Sequence, residues 1–289
     1  MKEKIVKGVL TKENRATFLL GPNGEHLLEY ELIWNGYTQH WLGKRVCARR
    51  LIQRDYERGR PIVLIWPEAH VSDVGYVELY YNERLVRHPG SILGHIAINV
   101  KGEVFNFSHR LKDNELMSEE EYFYRPALGE FAPHPRLGYL NISDEERPYY
   151  NNFGRIFMRT IHVLHIEGLD TERLSRMYHN ELKSIHNTRV NPKKPEKYRD
   201  FNILTRSCTT IVRDGLRRLG YRKIRGISPR DFFVNTSYHL LKAQENEHIK
   251  MRCFKVKQLK VREAQYSEMT PLLNPINRFR QWKLSHDQR

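Results

Sequence analysis

Short runs of β-forming residues separated by turn signals dominate the start of this sequence. Five such runs lie between residues 5 and 66, and the link between the second and third contains Pro22-Asn23-Gly24, a strong turn signal. Five short strands joined by tight turns are typical of a small closed barrel of the OB or SH3 type. We therefore predict an all-β barrel over residues 1–70 that serves as a targeting or binding module.

The hydrophobic periodicity changes beyond this region. Further strands are predicted at VGYVELYY, GHIAINV, EVFNFS and RTIHVLHI, and an amphipathic helix is predicted from Thr171 onward. Residues 110–155 are irregular and rich in Tyr, Pro and acidic residues, which favours a long surface excursion, with a lid as the alternative. Further along, GISPRDFF predicts a turn and a helix start, followed by a basic helix over about 235–250, a strand and a Pro-broken basic tail. The chain is therefore predicted to be α+β, with a second domain over residues 71–289.

The charge and the cysteines limit the partners and the compartment. The chain has 49 Lys and Arg against 34 Asp and Glu, a formal net charge of +15, which suits a cell-wall polymer, a nucleic acid or an anionic membrane surface. No segment approaches transmembrane length or resembles a secretory signal. We expect a protein that is cytoplasmic as synthesised, with any export requiring a specialised secretion system.

The three cysteines cannot form a disulfide framework and lack the spacing of metal ligands. We expect no cofactor and no metal. Cys47 and Cys253 lie within predicted strands and are interpreted as structural thiols. Cys208 is different, because it precedes a helical pattern.

Cys208 lies at the start of an amphipathic helix in NILTRSCTTIVRDGLRRLG. Ser207 is a good N-cap residue, and Gly220 supplies a C-cap signal. At the first helical position, unpaired N–H groups and the helix dipole favour the thiolate and lower a cysteine pKa from ~8.5 toward ~7. A small core residue is the alternative interpretation, because Cys208 also begins an apolar stripe. The stripe continues with Ile211, Val212, Leu216 and Leu219.

A cysteine nucleophile needs an imidazole to accept its proton and a third group to orient that imidazole. His95 stands at the start of an apolar strand, and a turn near Gly102 sends the chain back through VFNFS. Asn106 on the returning strand is expected to lie roughly level with His95. Ser108, on the same strand face, and His109 are rival candidates for the orienting group. A strand-start histidine in a core remains the alternative for His95.

The pieces GHIAINV, VFNFS and, much later, SCTTIVRDGL resemble the circularly permuted branch of the papain-like, NlpC-type cysteine hydrolase superfamily. The closest likeness is to the Lnb-type periplasmic domain family. The resemblance covers residues 74–240 and implies an antiparallel sheet packed on the nucleophile helix. It also implies that Cys208 is the nucleophile, His95 the general base and acid, and Asn106 the orienting residue. The sequence departs from the family at Ser207, where the family usually shows Asn, and in lacking a signal peptide.

Thiol chemistry then defines the expected reaction. The Cys208 thiolate attacks a carbonyl, backbone N–H groups at the helix start stabilise the oxyanion, and protonated His95 donates to the leaving group. Water releases the acyl group in a peptidase or amidase, whereas an amine or alcohol does so in an acyltransferase. The resemblance implies amide bonds of peptidoglycan peptides as the substrate, which fits an anionic polymer and a basic enzyme.

A basic nucleic-acid-binding protein is the alternative from another functional class. An OB-like barrel would stack bases on aromatic side chains, here Trp34, Tyr37 and Trp41. Basic residues within 189–199 and 250–262 would contact phosphates. Core packing is the more common fate of such aromatic residues. A single hyper-reactive thiol would distinguish the enzyme from the binding protein.

Overall fold

The computed structural model describes twelve stretches of the chain. These are residues 5–13, 16–21, 24–28, 39–54, 61–68, 75–86, 92–111, 114–124, 159–195, 197–245, 248–257 and 266–287. The described chain is α+β, with antiparallel sheets and several helices.

The chain forms two units that are not consecutive stretches of sequence. The first unit comprises Met1–Val71, Glu120–Met158 and Gln258–Tyr266, and the second comprises Ser72–Glu119, Arg159–Lys257 and Ser267–Arg289. The first change of unit along the chain lies close to residue 70, where the predicted domains meet. The first unit nevertheless also contains the two later segments Glu120–Met158 and Gln258–Tyr266, which the predicted division into 1–70 and 71–289 assigns to the second domain.

Five antiparallel strands form the sheet of the first unit. They are β1 (Val6–Glu13), β2 (Ala16–Gly21), β3 (Gly24–Leu28), β4 (Arg45–Arg54) and β5 (Pro61–Pro67). Their spatial order is β3-β2-β1-β4-β5, so β3 and β5 are the two edges of an open sheet. Among the described residues no strand pairing closes the predicted OB- or SH3-like barrel. Alternation and turn residues specify strands, whereas closure depends on the stagger and tilt between them.

The predicted surface excursion begins with regular structure, β10 (Glu115–Ser118) and α1 (Glu119–Tyr124). Arg49 of β4 pairs with the carboxylates of Glu120 and Glu121 at 3.5 and 2.9 Å. The Trp41 and Tyr124 rings meet edge to face, with centroids 5.7 Å apart. These contacts hold α1 against the first unit. Residues 125–158, the rest of the excursion, lie outside the described residues.

Six antiparallel strands form the sheet of the second unit, in the order β10-β9-β8-β6-β11-β12. Besides β10, its strands are β6 (Tyr76–Asn82), β8 (His95–Val100), β9 (Glu103–Asn106), β11 (Ile161–Glu167) and β12 (Lys250–Val256). A separate short sheet pairs β7 (Arg84–Leu85) with β13 (Ser267–Glu268). The strands predicted from β-forming runs are therefore present here. Central strands such as β8 are almost fully buried, since both of their faces are covered.

Four helices belong to the second unit: α2 (Thr171–His186), α3 (Cys208–Arg218), α4 (Pro229–Gln244) and α5 (Pro275–Asp287). Helix α2 begins where the sequence predicts, because the Asp170 side chain accepts a hydrogen bond from the Arg173 N–H. The helix start predicted at GISPRDFF is confirmed, because α4 begins at Pro229 and its first turns are buried. The basic helix predicted over about 235–250 is the later part of this same helix, which ends at Gln244. The predicted Pro-broken tail contains α5. No helix among the described residues is both long and apolar enough to cross a membrane.

Helix α3 packs closely on α2 and on the sheet. Val212 and Leu216 are fully buried in the core formed by the sheet and the helices. Tyr178 of α2 donates a hydrogen bond from its hydroxyl to the Val212 carbonyl at 3.0 Å. Gly215 permits this approach, because a Cβ at that position would overlap the Tyr178 side chain. The packing fixes the position of the first turn of α3, which carries Cys208.

Candidate active site

The N-terminus of α3 is closed by a reciprocal cap. The Ser207 hydroxyl accepts from the Thr210 N–H, and the Ser207 N–H donates to the Thr210 hydroxyl at 2.7 Å. The first helical hydrogen bond runs from the Ile211 N–H to the Ser207 carbonyl at 3.0 Å. The N–H groups of Cys208 and Thr209 precede it and have no acceptor within the helix. The predicted cap and helix start are confirmed, and Cys208 is half-buried.

A braced turn leads into the helix. The N–H of Arg206 donates to the Asn202 carbonyl at 2.7 Å, and the Asn202 side chain accepts from the Thr205 N–H. The Arg206 guanidinium reaches Glu181 of α2 at 2.9 and 2.7 Å. This ion pair ties the segment before Cys208 to a neighbouring helix. No sequence pattern predicts this pair, because Glu181 and Arg206 are brought together only by the tertiary fold.

The structure brings His95 and Asn106 together. Nε2 of His95 lies 2.6 Å from Oδ1 of Asn106. Asn106 pairs with Ala97 rather than with His95, so the predicted register is two residues off. Both side chains still leave the sheet on the same side, and diagonal neighbours can touch. An amide oxygen only accepts, so Nε2 carries the proton and Nδ1 is the nitrogen that can take a proton from a thiol.

The Cys208 thiol interacts with the His95 side chain, and this interaction acts on the Cys208 pKa. Burial by itself raises the pKa of Cys208, but the positive charge of His95 and a hydrogen bond from its ring lower it. The Ile96 N–H and the Thr209 hydroxyl add further hydrogen bonds, and the pKa falls from 9.0 to about 7. The β8–β9 ladder stops at Ala97, which leaves the Ile96 N–H for the sulfur. No local pattern in the sequence predicts this backbone contact.

The two rival orienting residues lie in the turn after β9. The Ser108 N–H donates to the buried Asn114 side chain at 2.9 Å, and the Ser108 hydroxyl accepts from the Arg110 N–H. His109 is exposed, and its ring meets Phe201 edge to face. Of these three candidates, Asn106 is the residue for which the structure gives a hydrogen bond to the His95 ring.

The residues around His95 explain the glycine before it. Gly94 has φ +77°, and a Cβ there would overlap the Asn82 carbonyl and the Tyr81 ring. Asn82 is fully buried on β6 opposite His95, and its side-chain amide donates to the His95 carbonyl at 3.5 Å. The chain can therefore enter β8 in this conformation only with glycine at position 94.

The other two thiols lie in different surroundings. Cys47 is buried on β4, where burial raises its pKa. Cys253 is half-buried on β12, where it pairs with Leu164. Burial thus raises the pKa of the Cys47 thiol, whereas the pKa of Cys208 is lowered. Cys208 is thus distinguished from both of them by its environment.

One of the aromatic residues expected to stack on bases is not exposed for stacking. Trp41 is buried, with 5% of its surface exposed, so it presents no ring face to a base. Trp34 and Tyr37 lie outside the described residues.

Within the described part of the chain, no group of three or more His, Cys, Asp or Glu side chains could hold a metal ion. Comparison of the chain with protein-family models, curated proteins and solved structures found no match.

Proposed function

We propose that this protein is a thiol-dependent acyl-transfer enzyme, most simply a hydrolase of amide bonds, with Cys208 as its nucleophile. The single observation that carries the proposal is the position of the His95 ring, whose Nε2 lies 2.6 Å from Oδ1 of Asn106 and which also lowers the pKa of the Cys208 thiol. Nucleophile, base and orienting group form one connected series, which is the arrangement that cysteine hydrolases require. The Cys208 pKa of about 7 makes the thiolate abundant at neutral pH.

The reaction follows from this geometry. The Cys208 sulfur attacks the substrate carbonyl, and the carbonyl oxygen becomes an oxyanion. The N–H groups of Cys208 and Thr209, which lack helical acceptors, are placed to stabilise that charge. His95 protonates the leaving amine through Nδ1, and the C–N bond breaks to give a thioester. Water, deprotonated by the same nitrogen, then hydrolyses the thioester, and Asn106 holds the ring throughout.

The arrangement of elements supports a circularly permuted papain-like domain. Histidine and asparagine lie on adjacent antiparallel strands, and the cysteine comes later in the chain on a helix packed against that sheet. This is the order that the resemblance to the NlpC-type superfamily implies. The open sheet of the first unit remains a candidate targeting module.

Charge near the site supports an anionic substrate. The loop before Cys208 and the turn after Asn106 are joined by a bridge between Arg110 and Lys197, and the Tyr198 N–H donates to the His109 carbonyl. Lys197 and Arg199 are exposed. Cations therefore lie on both segments that lead to the site. Peptide amides of an anionic cell-wall polymer fit this surface, and reaching them would require an export route.

Acylation of the thiol tests the proposal directly. Treatment with p-nitrophenyl acetate should release a burst of p-nitrophenol and leave one acetyl group on Cys208, detected by peptide mass spectrometry. Cys208→Ala should abolish the burst, whereas Cys253→Ala should retain it. Acetylation spread evenly over the three thiols, or a burst that survives Cys208→Ala, would refute the assignment.

The acceptor distinguishes the two variants of the proposal. If added glycinamide captures the acetyl group faster than water does, the protein is an acyltransferase. If the burst is followed by hydrolysis that glycinamide does not divert, it is a hydrolase. Purified peptidoglycan should then yield new amino termini with the unmodified protein and none with Cys208→Ala.

A further inference from the structure

Helix α5 is anchored to the second unit through one side. The buried Asp231 carboxylate of α4 accepts from the Asn277 side-chain amide at 2.9 Å and from the Leu273 and Asn274 N–H groups at 3.0 and 3.1 Å. Further along, the Arg230 guanidinium donates to the Gln281 side chain at 3.0 Å. Asn277 and Gln281, four residues apart, therefore mark the side of α5 that faces α4.

The opposite side of α5 is apolar and exposed. Ile276, Phe279 and Trp282 follow one another at a spacing of three residues and are 59%, 56% and 55% exposed. The Phe279 and Trp282 rings are stacked with centroids 5.9 Å apart. Leu273, just before the helix, is 67% exposed. Large side chains at such positions form a continuous apolar patch, which a protein surface rarely carries without a partner.

Cations border this patch. Residues 269–286 contain Arg278, Arg280 and Lys283 and no acidic residue. At 100° per residue, Arg278 and Lys283 lie on the two flanks of the row formed by Ile276, Phe279 and Trp282. The Lys283 ammonium also lies 5.7 Å from the centre of the Phe279 ring. The helix thus combines an exposed aromatic and aliphatic row with basic flanks.

We propose that this side of α5 binds the surface of an anionic phospholipid bilayer, with the helix parallel to the membrane plane. An interfacial helix inserts aromatic and aliphatic side chains at the level of the headgroups while Lys and Arg contact anionic lipids. Nucleic acid fits less well, because Leu273 and Ile276 have no planar face to stack on a base. The proposal goes beyond the acyl-transfer activity and does not depend on it.

The same segment connects the membrane-binding side to the candidate site. The Thr270 hydroxyl donates to the Ile92 carbonyl at 3.0 Å, and the Arg230 guanidinium donates to the Thr270 carbonyl. Ile92 is exposed and lies three residues before His95. Binding through α5 would therefore hold the segment before His95 close to the bilayer surface.

Vesicle flotation of the full-length protein tests this inference. Vesicles that mix phosphatidylcholine with anionic phosphatidylglycerol should carry the protein at low salt, because basic side chains are attracted to an anionic surface. Vesicles of phosphatidylcholine should carry far less, and added salt should release the protein. The double variant Phe279→Ser/Trp282→Ser should lose at least tenfold in apparent affinity, and Arg278→Gln/Lys283→Gln should weaken both the binding and its salt dependence.

Phe254→Ser provides the matched control. Phe254 is also an exposed aromatic residue, on β12, with the Arg252 guanidinium 5.7 Å from its ring centre. The Phe254→Ser variant should bind vesicles as tightly as the unmodified protein.

Fluorescence quenching tests insertion of the helix. Lipids with brominated acyl chains should quench part of the tryptophan fluorescence, and Trp282→Phe should remove that quenching while retaining binding. Circular dichroism of each variant should match that of the unmodified protein, which checks that the variant is folded. The Cys208→Ala variant should bind vesicles normally.

Three results would overturn the proposal. The first is no binding to anionic vesicles at low salt, and the second is equal loss of binding in Phe254→Ser and in the α5 double variant. The third is binding of a single-stranded oligonucleotide, in place of vesicles, that depends on Phe279 and Trp282. Self-association that disappears in the same double variant, without vesicle binding, would assign the patch to a second copy of the chain.

Discussion

At the scale of single residues, the candidate site depends on the balance of two opposing effects on one thiol. Burial favours the neutral form of Cys208, and the imidazolium of His95 favours the thiolate. Together with hydrogen bonds from the Ile96 N–H and the Thr209 hydroxyl, the charge and the ring of His95 outweigh burial, so the pKa of Cys208 falls to about 7. The thiolate is therefore stabilised by several neighbours, one of which, Thr209, lies in the first turn of α3.

The pH dependence of alkylation should report this balance. Iodoacetamide should modify Cys208 slowly below pH 7 and faster above it, with a midpoint near the pKa of about 7. In His95→Ala the cation is lost while the burial remains, so the midpoint should move to higher pH. Cys47 should react slowly throughout, because burial raises its pKa. Mass spectrometry of each cysteine peptide gives the three profiles, and an unchanged midpoint in His95→Ala would contradict this account.

Asn106 should affect turnover without affecting binding. Asn106→Ala removes the acceptor that holds the His95 ring, so kcat should fall roughly ten- to a thousandfold while KM changes little, within the range of acid–base support. Cys208→Ala should lose more. Ser108→Ala serves as the control on the same segment and should retain nearly full activity. Loss of activity in a His109→Ala variant with Asn106→Ala unaffected would require a different orienting residue.

At the scale of elements, helix α3 joins the core to the site. Its buried residues pack on the sheet and on α2, and its first turn presents Cys208. The cap at Ser207 holds its first turn, and the close contact between Gly215 and Tyr178 holds its second half. Changes at either position should therefore alter the stability of the protein. A displacement of α3 should also change the reactivity of the Cys208 thiol.

Replacement of the cap tests the departure from the resembling family. Ser207→Ala removes the acceptor for the Thr210 N–H and should lower the free energy of unfolding by about 1 kcal/mol. Ser207→Asn should restore most of that stability, since asparagine is an equally good N-cap residue. Urea denaturation of both variants measures the difference. Equal loss in the alanine and asparagine variants would show that the hydroxyl itself is required.

Gly215→Ala should destabilise the protein although alanine is the better helix former. The gain in helix propensity is about 1 kcal/mol. The new methyl group would overlap the buried Tyr178 side chain, and overpacking of this kind costs about 1–3 kcal/mol. Asn180→Ala, at an exposed position of α2, is the control and should stabilise slightly. Thermal unfolding of the two variants should therefore shift in opposite directions.

At the scale of the whole molecule, segments far apart in sequence complete each unit. Helix α1 belongs with the first sheet through Arg49, although the strand that precedes α1 belongs to the second unit. A cut near residue 70 would therefore separate α1 from its partners. The two units share the chain in a way that a linear division does not describe.

The Arg49 ion pairs should contribute measurably to stability. The Arg49 side chain is 17% exposed, so Arg49→Ala leaves two half-buried carboxylates without their cation and should cost about 1–3 kcal/mol. Arg45→Ala is the matched control. Its side chain is 68% exposed beside Glu68, and loss of such a pair costs about 0–1 kcal/mol. Chemical denaturation that gives equal losses for the two variants would contradict this account.

Local patterns in the sequence determined most of the elements and the start of the nucleophile helix. The cap at Ser207, the strand that begins at His95 and the returning strand with Asn106 follow from capping and alternation, which depend on near neighbours. The helix start at GISPRDFF also follows from its local pattern, whereas the predicted end near residue 250 lies beyond the end of α4 at Gln244. The barrel failed because edge pairing is not a local property.

Only the tertiary structure decided which groups meet. The ion pair between Arg206 and Glu181 joins residues that are distant in sequence, and so does the hydrogen bond from Asn277 to Asp231 that orients α5. The hydrogen bond from the Ile96 N–H to the Cys208 sulfur depends on where the β8–β9 ladder stops. The sequence by itself determined an α+β chain with a thiol at a helix start and a histidine at a strand start. Their distance was decided by the packing of α3 on the sheet, because contact energies between elements arise only once the chain is folded.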